Sequence, residues 1–173
     1  MPNSFIRGWL GSTCDSHTTL QSQQPCEYCQ YSFYNLIGYT RLQQGERYGA
    51  HTDYECFTIL KPDSKDWSPG YGGLEVLYDG NFHPVSVPPQ AFVINGGDLL
   101  QRWTNDKWVS AVHRVRKPTS AEALGTSRQS IAFFTSPRSD AFIECIPNLN
   151  GSPRYPGILA GDHVTMKINR THV

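Results

Sequence analysis

Two histidines and an aspartate carry the most informative chemistry in the sequence. His51-Thr52-Asp53 sets an imidazole and a carboxylate two positions apart, and His113 follows 60 positions after Asp53. In an extended strand, residues i and i+2 project to the same face, so His51 and Asp53 can grip one ion together. An imidazole from a distant strand, His113, completes a face of two histidines and one carboxylate. Such a face occupies one side of an octahedron and leaves three positions open, an arrangement that suits non-haem Fe(II). The pair alone is weak, because a His and an Asp two apart are common in surface turns and short motifs arise by chance. Of the six histidines, any one is more often structural or exposed than a ligand.

Strands must carry these groups if they are to meet. Short apolar or alternating runs occur at 36–42, 56–60, 74–78, 83–87, 92–95, 112–116, 130–135 and 142–146. Turn formers separate them: Ser68-Pro69-Gly70, Gly72-Gly73, Asp79-Gly80-Asn81, Pro88-Pro89, Gly96-Gly97-Asp98 and Lys117-Pro118. Asp79-Gly80 between two such runs is a hairpin signal. This rhythm predicts a mainly β fold, for which a double-sheet jelly roll is one standard solution. A closing helix is expected over 157–170, with Ile158, Leu159, Val164, Met166 and Ile168 on one face. Residues 1–35 are rich in Ser, Thr, Gln and Cys without a sustained period, and read as an irregular lead segment with a short helix near 27–35. The remainder, 36–173, reads as one domain.

Composition narrows the function. The chain has 173 residues, 38% hydrophobic and 17% charged, which supports a packed core and excludes the disordered class. Fifteen basic and fifteen acidic residues cancel, leaving no excess to neutralise phosphates, so nucleic acid is not an expected partner. The longest apolar runs, Ala91-Phe92-Val93-Ile94 and Ile131-Ala132-Phe133-Phe134, fall far short of the ~20 residues of a membrane span. No apolar signal core follows Met1, so the expected location is the cytoplasm. Five cysteines, an odd count, cannot form a complete disulfide framework.

Further blocks follow the His-x-Asp pair in a fixed order. Phe57-Thr58-Ile59-Leu60 comes first, then Gly72-Gly73-Leu74-Glu75-Val76, then Phe92-Val93-Ile94-Asn95-Gly96-Gly97-Asp98. Arg102-Trp103-Thr104-Asn105, His113-Arg114-Val115 and Arg128-Gln129-Ser130-Ile131-Ala132-Phe133-Phe134 complete the series. Together they resemble the C-terminal catalytic domain of the Fe(II)- and 2-oxoglutarate-dependent dioxygenases. The branch is the one that includes isopenicillin N synthase and the plant hormone and flavonoid oxygenases. The likeness runs from about Leu36 to the C-terminus, about four fifths of the chain.

That resemblance implies a double-stranded β-helix with iron inside one end, held by His51, Asp53 and His113. It implies that Arg128 and Ser130 match the family's R-x-S pair, which holds the far carboxylate of 2-oxoglutarate. A dicarboxylate in an apolar barrel needs a fixed cation, and a guanidinium supplies two parallel charge-assisted hydrogen bonds. Tyr39 stands where the family carries a tyrosine that helps bind the cosubstrate, although Thr40-Arg41 replaces the usual Pro-Pro after it. The implied reaction uses dioxygen to decarboxylate 2-oxoglutarate to succinate while a small organic substrate is oxidised. Members of the branch carry a substantial N-terminal region, whereas only about 35 unrelated-looking residues precede the match here.

Several roles follow more plainly from the residues themselves. Asn95, Gly97 and Asp98 read as a tight turn whose side chains cap local backbone. Asn105 reads as a turn residue, Trp103, Phe133 and Phe134 as core aromatics, and Tyr54 and Phe57 as candidates to shape a pocket. Three alternatives to the main reading stay open. One is an iron oxidase of the same fold that uses no 2-oxoglutarate. The second is a truncated, non-catalytic jelly roll that only binds metal. The third is a zinc adaptor built on Cys14, His17, Cys26 and Cys29.

Overall fold

Alternating polar and apolar side chains decide which strands form here and which face each one buries. The computed structural model describes residues 32–39, 46–62, 72–88, 90–121 and 128–171, with side chains described from residue 46 onward except at 128 and 171. Ten strands and two helices are defined in this range. The long strands are β1 (Ser32–Tyr39), β2 (Tyr48–His51), β3 (Phe57–Pro62), β4 (Gly73–Tyr78), β5 (Asn81–Pro84), β6 (Val93–Gly96), β7 (His113–Arg116) and β8 (Arg128–Thr135). Two-residue strands β9 (Phe142–Ile143) and β10 (Ile158–Leu159) pair with each other. The helices are α1 (Asp98–Trp103) and α2 (Ala160–Thr171).

The eight longer strands form two antiparallel sheets, ordered β1-β8-β3-β6 and β2-β7-β4-β5. From β2 onward the chain crosses from one sheet to the other and back, pausing only at the β4–β5 hairpin. That winding is the double-stranded β-helix expected from the sequence. Both sheets line one cavity: Thr58, Leu60, Ser130, Ala132 and Phe134 from the first, Leu74, Val76, His113 and Val115 from the second. Strand parity explains the division, since alternate residues take the opposite face. On the outer face of the first sheet, Phe57, Ile94 and Ile131 remain exposed. On the second, Arg114 bonds Glu75 across the β4–β7 register at 2.7 Å, also pairs with Glu46, and stacks its guanidinium on Phe82.

A second cluster lies under one end of the sheets. Leu99 is fully buried with Cys56, Ile143 and Ala160, and Leu100, Trp103, Ala141 and Ile158 pack against it. Trp103 is thus the core aromatic expected. Asn105, expected as a turn residue, has positive φ and is also fully buried. Its amide donates to the carbonyls of Asn150 and Ser152, and its oxygen accepts from the Arg154 backbone.

Some element boundaries depart from expectation. The strand expected at 36–42 is β1, which starts at Ser32, so the helix expected near 27–35 is strand over 32–35. Helix α1 was not anticipated, and the extended strand expected to carry both His51 and Asp53 is β2, which ends at His51 and leaves Asp53 in the following loop. Tyr48-Gly49-Ala50-His51 has one large apolar residue and forms a strand only because β7 offers it hydrogen bonds. Six-residue α1 is too short to show a helical period.

The closing helix is present but starts at Ala160: Ile158 and Leu159, expected on its face, form β10 instead, and the observed stripe is Ala160, His163, Val164, Lys167 and Ile168. Ala160 and His163 are its most buried members. Burial holds the His163 imidazole below its ordinary value, reinforced by the Lys167 charge. The Tyr54 backbone lies beside the ring without a well-formed hydrogen bond to either nitrogen. Because the folded state resists protonation there, the unfolded chain binds more protons as pH falls below 6.5, and stability drops with it. Thermal midpoints of the metal-free protein between pH 7.5 and 5.5 should therefore fall less steeply in His163→Leu than in the parent chain. Parallel slopes would show that His163 does not contribute to the acid sensitivity.

Candidate metal centre

His51 ends β2 and His113 begins β7, and the two residues are register partners despite their distance in sequence. Asp53 lies two residues beyond His51, in the loop that leads into β3. Topology therefore solves the convergence: two neighbouring strands of one sheet supply the imidazoles, and the loop folds the carboxylate between them. The Nε2 atoms of His51 and His113 lie 3.7 and 3.6 Å from Asp53 Oδ1. One ligand atom from each of the three falls within 4.8 Å of the others. Two donors each about 2.1 Å from an ion and at right angles stand ~3 Å apart, so a small inward movement lets all three share one ion.

The remaining polar atoms of the triad are already occupied, which fixes the direction of the free ones. His51 Nδ1 lies 2.8 Å from the Gly49 carbonyl, and His113 Nδ1 lies 3.0 Å from that of Ala111. A carbonyl oxygen only accepts, so each Nδ1 carries a proton, which leaves Nε2 as the ring atom available to coordinate an ion. Asp53 is buried, and its Oδ2 accepts from Thr58 Oγ1 at 2.5 Å and from Asn95 Nδ2 at 2.7 Å. Both donors use the same oxygen, so Oδ1 is the one turned toward the imidazoles. Burial pushes the His51 imidazole below its ordinary value, which keeps it in the neutral form a metal ligand needs.

The loop itself hangs from the start of α1. The backbone N–H groups of Gly97, Asp98 and Leu99 donate to carbonyls of the loop: Gly97 to Cys56 at 2.7 Å, Asp98 to Asp53 at 2.8 Å, and Leu99 to both Tyr54 and Glu55 at 3.2 Å. A Cβ at position 97 would overlap the Glu55 carbonyl oxygen and press on that of Asp53 at 3.1 Å, so only glycine allows this approach. Asp98 Oδ2 in turn accepts from Thr52 Oγ1 at 3.0 Å. The expectation that residues 95–98 cap their own turn is therefore corrected. Gly97 occupies the N-cap of α1 without a side-chain cap, and Asn95 and Asp98 reach across to the metal loop instead.

The triad opens onto the cavity between the sheets, which has a volume of about 880 Å³. Tyr54 lines it, as expected, whereas Phe57 takes the outer face and Phe134 the inner. Ser130 is buried in its wall, two positions after Arg128 on β8. Arg128 and Tyr39 are Cα partners across the β1–β8 register, so the three cosubstrate candidates stand on adjacent strands. The side chains of Tyr39 and Arg128, and all of Cys14, His17, Cys26 and Cys29, lie outside the described residues.

The sequence model of the 2OG-Fe(II) oxygenase superfamily matches residues 26–137. The chain belongs to that superfamily. It is 38% identical over 121 residues to "2-oxoglutarate-Fe(II) type oxidoreductase hxnY" of Emericella nidulans, covering 67% of this chain and 32% of that protein. It is 36% identical over 124 residues to gibberellin 20 oxidase 2 of Oryza sativa subsp. indica, covering 72% and 28%. A full-length Neurospora crassa protein, solved in complex with alpha-KG and 5-formyluracil, matches with a TM-score of 0.72 at 30% identity over 83% of this chain and 49% of that one. The chain thus spans about a third of the length of these two curated relatives.

Iron and 2-oxoglutarate are the cofactor and cosubstrate of the 2OG-Fe(II) oxygenases, and the donor set found here fits a divalent iron: two imidazole nitrogens and one carboxylate oxygen within 4.8 Å of one another. Sequence reasoning missed Thr58 and Asn95 as partners of Asp53. The available signal was their polarity at cavity-facing positions that Leu60 and Val93 otherwise make apolar on strands β3 and β6. Removing either donor frees the carboxylate to rotate away from the single-oxygen arrangement. Thr58→Val and Asn95→Ala should each weaken Mn(II) or Fe(II) affinity by about 10- to 100-fold, the range typical of outer-shell partners. Calorimetric titration checks this, and unchanged affinity in both variants would show that the carboxylate needs neither anchor.

Proposed function

We propose that this chain carries the catalytic core of an Fe(II)- and 2-oxoglutarate-dependent dioxygenase that oxidises a small organic molecule. The observation that carries this reading is the division of atoms in the triad. Every polar atom of His51, Asp53 and His113 that faces the protein is hydrogen-bonded to it, and the three that remain face one cavity. In this reading His51, Asp53 and His113 are the iron ligands. Bound iron supplies the redox chemistry that couples decarboxylation of 2-oxoglutarate by dioxygen to oxidation of a C–H bond.

The protein's own part is to hold and to shield. Carbonyls of Gly49 and Ala111 orient the rings, and Thr58 and Asn95 hold the carboxylate. Leu60, Leu74, Val76, Val115, Ala132 and Phe134 give the cavity a largely apolar wall beside the reacting centre. Arg128, Ser130 and Tyr39 form the cosubstrate clamp in this reading. Its support is the R-x-S spacing, the place of Ser130 in the cavity wall, and the register of Arg128 with Tyr39. Relatives solved with alpha-KG favour the cosubstrate over an oxidase that works without it. We assign the catalytic unit to residues 36–173 extended upstream to Ser32, because β1 pairs with β8 from Ser32 onward. We place it in the cytoplasm, where buried Cys56 and Cys145 would stay free thiols. No helix among the described residues is long and apolar enough to cross a membrane.

Anaerobic addition of Fe(II) and 2-oxoglutarate should produce a weak visible charge-transfer band, and aerobic turnover should release succinate. His51→Ala, Asp53→Ala and His113→Ala should each abolish iron retention and the band, and any variant that keeps wild-type iron content removes that residue from the ligand set. Arg128→Ala should raise the 2-oxoglutarate requirement at least about tenfold while leaving iron retention intact, the cost of losing a charge-assisted pair. An unaltered requirement puts the clamp elsewhere.

A further inference from the structure

The C-terminal helix reaches the metal loop through one carboxylate oxygen. Lys167 Nζ on α2 lies 2.6 Å from Asp98 Oδ2, the same atom that accepts the Thr52 hydroxyl at 3.0 Å. Thr52 sits between the two loop ligands, His51 and Asp53. Asp98 is nearly buried, with 11% of its side chain exposed, and Lys167 is 28% exposed, so the pair is shielded more than a surface ion pair. The next residue of the helix, Ile168, lines the cavity that the triad opens onto. The relay Lys167–Asp98–Thr52 therefore ties the last turns of the chain to the loop, in addition to the backbone bonds from α1.

We propose that Lys167 is a positioning residue of the metal centre, acting through Asp98 on Thr52 to hold the His51–Asp53 loop in the geometry that binds the ion. This rests on reading that loop as metal-binding. Two effects of Lys167 oppose each other, and their signs differ. As a charge, an ammonium near the site repels a divalent cation, so removing it would tighten metal binding. As an anchor, its loss leaves Asp98 without its cation and lets the carboxylate turn toward water, releasing Thr52 and with it the loop. The direct 2.6 Å contact and the shared oxygen make the second effect dominant.

Mn(II) alone is the probe, titrated calorimetrically at pH 7.5 into the wild-type chain, Lys167→Met, Lys167→Arg, Thr52→Val, the Lys167→Met/Thr52→Val double variant, and His113→Ala. We expect Lys167→Met to bind Mn(II) about tenfold more weakly, as outer-shell substitutions do. Lys167→Arg should recover most of that loss. The double variant should be no weaker than the weaker single one, because both cut the same relay. Tighter or unchanged binding by Lys167→Met, or losses that simply add in the double variant, overturns the proposal while the metal site stands. If His113→Ala binds Mn(II) as tightly as the wild type, the metal site itself is wrong and the proposal falls with it. Thermal melts of the metal-free variants separate loss of fold from loss of affinity: a Lys167→Met chain that melts like the wild type yet binds about tenfold more weakly supports positioning. Weak binding with a collapsed melt that Lys167→Arg does not rescue counts against it.

Discussion

Asp53 has two carboxylate oxygens and the structure treats them differently. One accepts two hydrogen bonds from neutral donors, Thr58 and Asn95, and the other points between two imidazoles. Burial strips a carboxylate of its hydration, so a ligand in this position needs hydrogen-bond donors before any ion arrives. Two neutral donors stabilise the anion without neutralising it, as a cation in their place would. They also leave a single oxygen for coordination, which keeps the acid to one corner of the ligand sphere. Much of the surrounding architecture follows from that requirement: a polar residue inside β3, another inside β6, and a loop short enough to bring Asp53 between them.

Backbone topology meets the second requirement, that the two rings come from places far apart in the sequence. A double-stranded β-helix places β2 beside β7 in one sheet, so His51 and His113 become neighbours by register. The third ligand then requires nothing further in chain organisation, because the turn that leaves β2 must pass the cavity mouth to enter β3. Both rings also use the same local device, an Nδ1 bonded to the carbonyl two residues earlier. Ala111 lies just before β7, and Gly49 lies where the β2–β7 register is broken between Tyr48 and His51.

Legibility in the sequence tracked how local each signal was. The eight apolar runs and the Asp79-Gly80 turn were visible because period-2 alternation and turn chemistry are written within a few residues, and the β4–β5 hairpin follows from them. The triad was visible as types and spacing, and the family likeness added its order among other blocks. Hidden were the bounds of β2 and the whole of α1, whose few residues have no pattern of their own and take their form from partners. Also hidden were the tasks of Asn95 and Asp98. As an Asn-Gly-Gly-Asp run they read as a self-contained turn, and nothing local shows that their side chains bond Asp53 and Thr52, 42 and 46 positions earlier. Lys167 was invisible for the same reason: on sequence alone it is a solvated lysine in an amphipathic helix.

The way the loop is anchored separates two demands that usually conflict in a binding site. Tyr54 and Glu55 hold their place through backbone carbonyls, which accept from the N–H groups at the start of α1. Both residues also line the cavity. Side chains at 54 and 55 can therefore change without cutting the bonds that position the metal loop, whereas Gly97 opposite them cannot accept even a methyl group. Burial pushes the Glu55 carboxyl above its ordinary range, so the cavity wall beside the metal loop carries an acid that gives up its proton reluctantly. Positions 54 and 55 can therefore vary the shape and polarity of the cavity while the main-chain bonds hold the loop, as long as Thr58 and Asn95, which also line the cavity, keep their hydrogen bonds to Asp53.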